Sequence, residues 1–244
     1  MLQRSLGLGP SGKKRIGGDF LSIEMSMKPA REKYVPRPFE EELRRDILCP
    51  HCGLEHAVFG IATWCPDCGE DIFLVHVETE LRVIEKALSV VDSRREELGA
   101  RAAARDIENA LEDVVSIFEA VLKMITRKHL LKSGEDPDEV ESIISKKIRN
   151  RYQNVNNAAE TFKKHVGLDL LDGIDANDVG SLKLAFEKRH PITHNLGVVD
   201  RKYLDKVRTG ELEGKEVLIT QQEVQVALEI SSFTIANAYT RAFG

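Results

Sequence analysis

Four cysteines in two pairs, Cys49-Pro-His-Cys52 and Cys65-Pro-Asp-Cys68, are the residues of this chain most plainly arranged for chemistry. Each C-x-x-C turn points two thiolates the same way. Two such turns separated by twelve residues complete a tetrahedral four-sulfur site suited to zinc. A pair of disulfides does not suit a cytosolic chain with no other cysteine. A redox dithiol would account for one pair and leave the other unexplained. With sulfur in all four positions no coordination site is left for water, so the spacing predicts a structural zinc held by Cys49, Cys52, Cys65 and Cys68. The span is too short to bury much apolar area, and metal binding must supply its folding energy. His51 and His56 read as surface residues, and Trp64 is expected to cover the metal knuckle.

A second concentration lies in Glu187–Asp200, EKRHPITHNLGVVD, where Arg189, His190 and His194 fall within six residues. On an unbroken helix the five-residue step from Arg189 to His194 turns the side chain by about 140° beyond a full turn, so the two would diverge. Pro191 disfavours helix at His190 and removes a backbone donor. A local break there would bring Arg189 and His194 to one pocket. Without such a pocket, an Arg and two His near a helix end are dipole-complementing surface groups. Asn195 either hydrogen-bonds within the site or serves a turn.

The elements that must position these groups are helical. Leu81, Ile84, Leu88 and Val91 recur at three- and four-residue spacing until Gly99. Ile107, Leu111, Val114, Phe118, Val121 and Ile125 form the stripe of a second helix ending near Ser133-Gly134. Asp136-Pro137 supplies a cap and a first-turn proline for a helix holding Val140, Ile143, Ile144 and Ile148. RYQNVNNAAETFKKHVG predicts a helix closed by Gly167, with Lys163, Lys164 and His165 at the negative end of its dipole. Asn177 or Asp178 is expected to start the helix that runs through Leu182, Leu184 and Phe186 into Arg189. TGELEGKEVLIT reads as a loop or short hairpin. Thr220 and Glu223 make a capping box for a last helix carrying Val224, Leu228, Ile235 and Tyr239.

Met1 to Pro38 is rich in Gly, Ser and Lys without apolar period, which predicts a flexible tail. Met1–Arg37 holds eight Lys/Arg against three Asp/Glu, whereas the whole chain carries a net charge of −5. GLGPSGKK within it nearly matches a phosphate-binding loop, but Lys14 stands where a magnesium-ligating Ser or Thr belongs. The domain reading is thus 1–38 basic tail, 39–76 cysteine module, 77–99 linking helix and 100–244 helical bundle. Hydrophobic residues are 42% and charged residues 31%, ordinary for a charge-rich helical protein without a membrane span. The N-terminus lacks a secretion-signal core, which places the expectation in the cytoplasm. Aromatics at 6% argue against a broad base-stacking platform.

The cysteine module resembles a zinc ribbon, a type of domain that binds nucleic acid or a protein partner. The Arg189–His194 run resembles the R-x4-H motif of the HEPN superfamily, α-helical domains that include many RNA-cleaving toxins and defence proteins. The flanks HNLGVVDRKYL and RYQNVNNAAETFKKHVGLDL resemble one bacterial branch of it, over Arg149 to Leu204 and more loosely from Arg101 to Phe243. This resemblance implies a HEPN-like bundle and metal-independent RNA cleavage, in a toxin or in antiviral defence. It assigns His194 as general acid/base, Arg189 as the clamp on developing phosphate charge, and His190 to orient the substrate or its neighbours. It also implies a homodimer in which two motifs face one cleft. Lys146, Lys147, Arg149, Arg151 and Lys188 are candidate RNA contacts, although a solvated helix face is the default reading of such runs. Two other functions stay open. One is a non-catalytic HEPN scaffold that binds protein or nucleotide, and the other is a zinc-ribbon regulator whose helices only dimerise.

Overall fold

A computed structural model describes residues 38–207 and 210–244. The basic tail and its GLGPSGKK stretch lie outside them, apart from Pro38. The chain divides into two compact units, Met1–Arg44 and Arg45–Gly244. In the first, the described residues form the short helix α1 (Pro38–Leu43). The second begins with an antiparallel hairpin, β1 (Arg45–Leu48) against β2 (Glu55–Val58), in the register Arg45↔Val58 to Leu48↔Glu55.

All that follows the cysteine module is helical or loop, so the protein is mainly α. The apolar stripe from Leu81 to Leu88 buries one face of α2 (Phe73–Ser89), and α3 (Val91–Leu98) follows after a break at Val90. Gly99, at φ 91°, then ends the run as its type allows. The central element is α4 (Ala100–Lys132). The stripe Ile107, Leu111, Val114, Phe118, Val121 and Ile125 is buried as its spacing predicts. Ala103, Ala110, Val115, Leu122 and Leu130 are buried too, because α2, α3 and the last two long helices pack around it.

Asp136 caps α5 (Pro137–Ser142) through the amides of Asp138 and Glu139, with Pro137 in the first turn. The helix then widens into a π-helical turn, Ile143–Ile148, which sends Ile143, Ile144 and Ile148 into the core. Arg151–Gln153 is a 3-10 turn rather than the start of the next helix. Its Tyr152 is fully buried and meets Thr126 at 2.7 Å. Asn154 caps α6 (Val155–Val166), which Gly167 closes in the left-handed region.

Helix α7 (Ala176–His194) is capped by Asp175, two residues before the expected start, because the Asp175 side chain accepts the Asn177 amide. A four-residue α8 (Arg201–Leu204) follows, capped by Asp200. The TGELEGKEVLIT segment is a loop whose Glu216 bridges Val198. Thr220 and Glu223 form the expected reciprocal capping box of α9 (Gln221–Phe243). No helix among the described residues is long and apolar enough to cross a membrane.

Lys188 corrects one expectation. It is 6% exposed, and its Nζ donates to the Leu218 carbonyl and the Glu223 carboxylate, each at 2.6 Å. It ties α7 to the N-terminus of α9 and has no free charge to offer RNA. Replacing it leaves the carbonyl and the capping carboxylate without their donor. Breaking a buried pair costs about 3–5 kcal/mol, and partial exposure of Glu223 reduces this, so Lys188→Met is expected to lose on the order of 2–3 kcal/mol. Urea unfolding checks this; a loss below half a kcal/mol would mean the pair is solvent-screened.

Candidate functional site

The two cysteine turns are built alike. Gly53 donates its amide to the Cys49 carbonyl and Gly69 to that of Cys65, both at 3.0 Å. Cys49 and Cys65 in turn donate to the Leu54 and Glu70 carbonyls at 2.9 and 2.8 Å. Both glycines have φ near 75°, which a residue with a Cβ adopts only under strain. The glycine after each C-x-x-C was the sequence signal for this shared turn, and the cysteine spacing alone did not use it.

The turns bring all four Sγ atoms within 4.8 Å of one another. Cys49 lies 3.7 Å from Cys68 and Cys52 lies 3.6 Å from Cys65, and none is in a disulfide. Zinc–sulfur bonds of about 2.3 Å in a tetrahedron require S···S edges of about 3.8 Å, so the donor set already has the spacing of a four-sulfur metal site. The backbone amide of Cys68, with that of Asp67, holds the Cys65 thiol down to about 6 against its burial. The Leu54 amide favours the Cys52 thiolate, yet desolvation and the three neighbouring sulfurs push Cys52 up to about 12. Four clustered thiols therefore resist ionising together, and a bound cation would reverse that balance.

Ile47, Ala62 and Ile72 back the cysteines in a small separate core. Trp64 does not cover the knuckle: it is 63% exposed and bridges Asp71 only through its backbone. His51 is exposed, whereas His56 is half-buried, and neither joins the sulfur cluster. Three residues after the last cysteine, Asp71 bonds Lys128 of α4 at 2.6 Å and the Tyr239 hydroxyl of α9. Lys128 also sits 4.9 Å from the Tyr239 ring centroid. The module is thus keyed to the bundle by one polar cluster whose members lie up to 168 residues apart.

Helix α7 runs unbroken through Pro191 to His194. The expected break at Pro191 is absent, because a helix tolerates proline where neighbouring packing holds it, and Pro191 and Ile192 are buried. Arg189 and His194 therefore leave the helix about 140° apart. Arg189 turns toward α4, where its Nε donates to Glu112 at 2.9 Å and its Nη1 to Gln153 at 3.0 Å. Its side chain is 15% exposed. Gln153 continues to Glu119, and Glu119 to Lys123. Nothing in the sequence marked Glu112 or Gln153, since each meets Arg189 only through the fold.

His190 and His194, four residues apart, share the other face. Their rings meet edge-on with centroids 5.1 Å apart. His194 is exposed and His190 half-buried. Partial enclosure, followed by the positive charges of Lys202, His194 and Lys206, holds His190 below the usual histidine range, with Asp200 opposing. Asn195 donates to Asp200 at 2.5 Å, which also caps α8, so it serves the turn that carries Lys202 beside the histidines. Of the remaining candidates, Lys146, Lys147 and Arg149 are exposed. Arg151 is half-buried and donates to Thr161 at 2.7 Å. Comparison with known proteins adds no relative: no protein-family model, no curated protein and no solved structure matches this chain.

Proposed function

We propose that the chain is a metal-independent endoribonuclease of the HEPN type, with a structural zinc held by Cys49, Cys52, Cys65 and Cys68. The single observation that carries the catalytic reading is the His190–His194 pair, two imidazoles in contact at an accessible helix end. Cleavage at a ribose 2′-hydroxyl needs one group to take a proton and another to give one. His190, held neutral by its surroundings, takes the 2′-hydroxyl proton. The 2′-oxygen attacks phosphorus, the bond to the 5′-oxygen breaks, and His194 in its cationic form gives that oxygen a proton. The products are a 2′,3′-cyclic phosphate and a 5′-hydroxyl, and proton exchange with water resets the pair.

In this reading Lys202, exposed and close enough to bear on His190, meets the phosphate charge. Arg189 becomes a positioning residue that fixes α7 against α4. The pair lies in one chain, so proton transfer needs no second copy. The homodimer remains a separate proposal, tested by whether light scattering gives twice the 27.4 kDa chain mass. Zinc is proposed because the site is all-sulfur and closed, which also makes its role structural.

Arg189's engagement by Glu112 and Gln153 favours a second reading, a non-catalytic HEPN scaffold. A time course of purified protein with mixed cellular RNA in excess EDTA separates the two. Cleavage that persists and leaves cyclic phosphate ends supports the first. Intact RNA under conditions where it binds the protein supports the scaffold.

A further inference from the structure

We propose that a cleft between the π-helical turn, the 3-10 turn and α6 is a phosphate-binding subsite, distinct from the histidine pair and independent of whether that pair cleaves RNA. The cleft has a volume of about 260 Å³ and is lined by Lys147, Arg151, Glu160, Thr161, Lys164 and His165. Three permanent cations face one carboxylate, in a protein whose net charge is −5. Arg151 is held in place by Thr161 at 2.7 Å and by Glu160 at 3.2 Å, the one ion pair formed in the cleft among the described residues. Lys147 and Lys164 arrive from different elements, so their convergence is a property of the fold and not of one basic run.

Two further observations point to an anion. Burial and then the charges of Lys164 and Lys147 hold His165 below the usual histidine range, so the cleft is electropositive at its floor. Between Lys147 and Arg151 in sequence, Arg149 has φ 48° and ψ −116°, followed by Asn150 at φ −100° and ψ 16°. These are the angles of a tight turn whose first central position favours glycine. An exposed arginine is kept there at the expense of backbone strain, which is a mark of functional positions.

The chemistry that fits is a phosphate oxyanion, from an RNA backbone or from a free polyphosphate. A π-helical turn and three donor-bearing cations would recognise it without reading bases, in line with the scarcity of aromatics. The first probe is a fluorescent 2′-O-methyl RNA 12-mer, which the proposed nuclease reaction cannot cleave; the second is inorganic pyrophosphate. The 12-mer is expected to bind, with the slope of log affinity against log salt falling by about 0.7 for each of Lys147→Gln and Lys164→Gln. Lys86→Gln, on exposed α2 surface, should leave the slope unchanged. Arg149→Gly should raise the melting temperature yet weaken binding, a combination that a purely structural arginine would not show.

Ligand should also raise the His165 pKa in proton NMR, because the phosphate charge offsets Lys147, Lys164 and Arg151. If the 12-mer fails to bind but pyrophosphate moves His165, the site takes free phosphates. If neither ligand moves His165, or if the 12-mer binds the folded variants with the parent slope, the subsite is rejected.

Discussion

His194→Ala is expected to lose about 10²–10⁴-fold in RNA cleavage while keeping the helical signal and melting temperature of the parent. The fold should tolerate it because His194 is exposed at the last position of α7 and makes only an edge contact with His190. His190→Ala should lose a comparable factor if it is the base. The pH profile assigns the roles. Activity of the parent should rise as His190 sheds its proton, at a pH below the ordinary histidine value of about 6.5, and fall once the donor histidine is neutral. His190→Ala should remove the acid limb and His194→Ala the alkaline one. A His190→Ala variant as active as the parent would leave only an orienting role for that residue.

Arg189→Lys separates two accounts of the arginine. The planar fork that reaches both Glu112 and Gln153 has no ammonium equivalent. As a positioning residue, its replacement should lower the melting temperature along with the rate, and a Glu112→Gln variant should reproduce both losses. As a phosphate clamp, the rate should fall with the melting temperature unchanged, and Glu112→Gln should leave the rate intact. DNA should resist cleavage in either case, since it lacks the internal nucleophile.

The features that sequence patterns reveal best are those enforced locally. Asp136, Thr220 and Gly167 do their capping with residues two to four positions away, so their types were sufficient. The stripe of α4 was legible because a helix of 33 residues repeats its period many times. The cysteine cluster was legible because two turns of identical spacing have few other uses. The start of α7 was missed because Asp175, Asn177 and Asp178 are all good caps, and Leu170 and Leu182, buried on either side, decide which one serves.

What stayed hidden depends on contacts distant in sequence. Lys188 sits beside Arg189 and looks equally available, but the fold places it under the α9 capping box, 35 residues away. The direction of Arg189 followed from helical geometry once Pro191 was known to be accommodated. Pro191 is accommodated because Pro191 and Ile192 are buried against the bundle, a tertiary effect that outweighs the local preference of proline. The 3-10 turn at Arg151 was equally invisible, since it exists to seat Tyr152 against Thr126, a partner 26 residues back.

Chelating the metal, or replacing Cys49 by Ser, is expected to unfold residues 45–72 and leave most of the helical signal in place. The module's own core contains Ile47, Cys49, Ala62, Cys65 and Ile72, and two of those five are the ligands themselves. Burial of the other three gives at most a few kcal/mol, at roughly 1.5–3 kcal/mol per large side chain, against about 10–16 kcal/mol for a structural zinc site. The helical core is a separate cluster centred on α4 and keeps its contacts. The effect should still travel one step. Asp71 would lose its place against Lys128 and Tyr239, so the last two turns of α9 should exchange amide protons faster, whereas the capping box at Thr220 should not. Elemental analysis should find about one zinc per chain, and X-ray absorption four sulfur ligands at about 2.3 Å. Nitrogen in the first coordination shell would remove the four-cysteine assignment. Amides of β1 and β2 that stay protected after the metal is stripped would show that the hairpin folds without it.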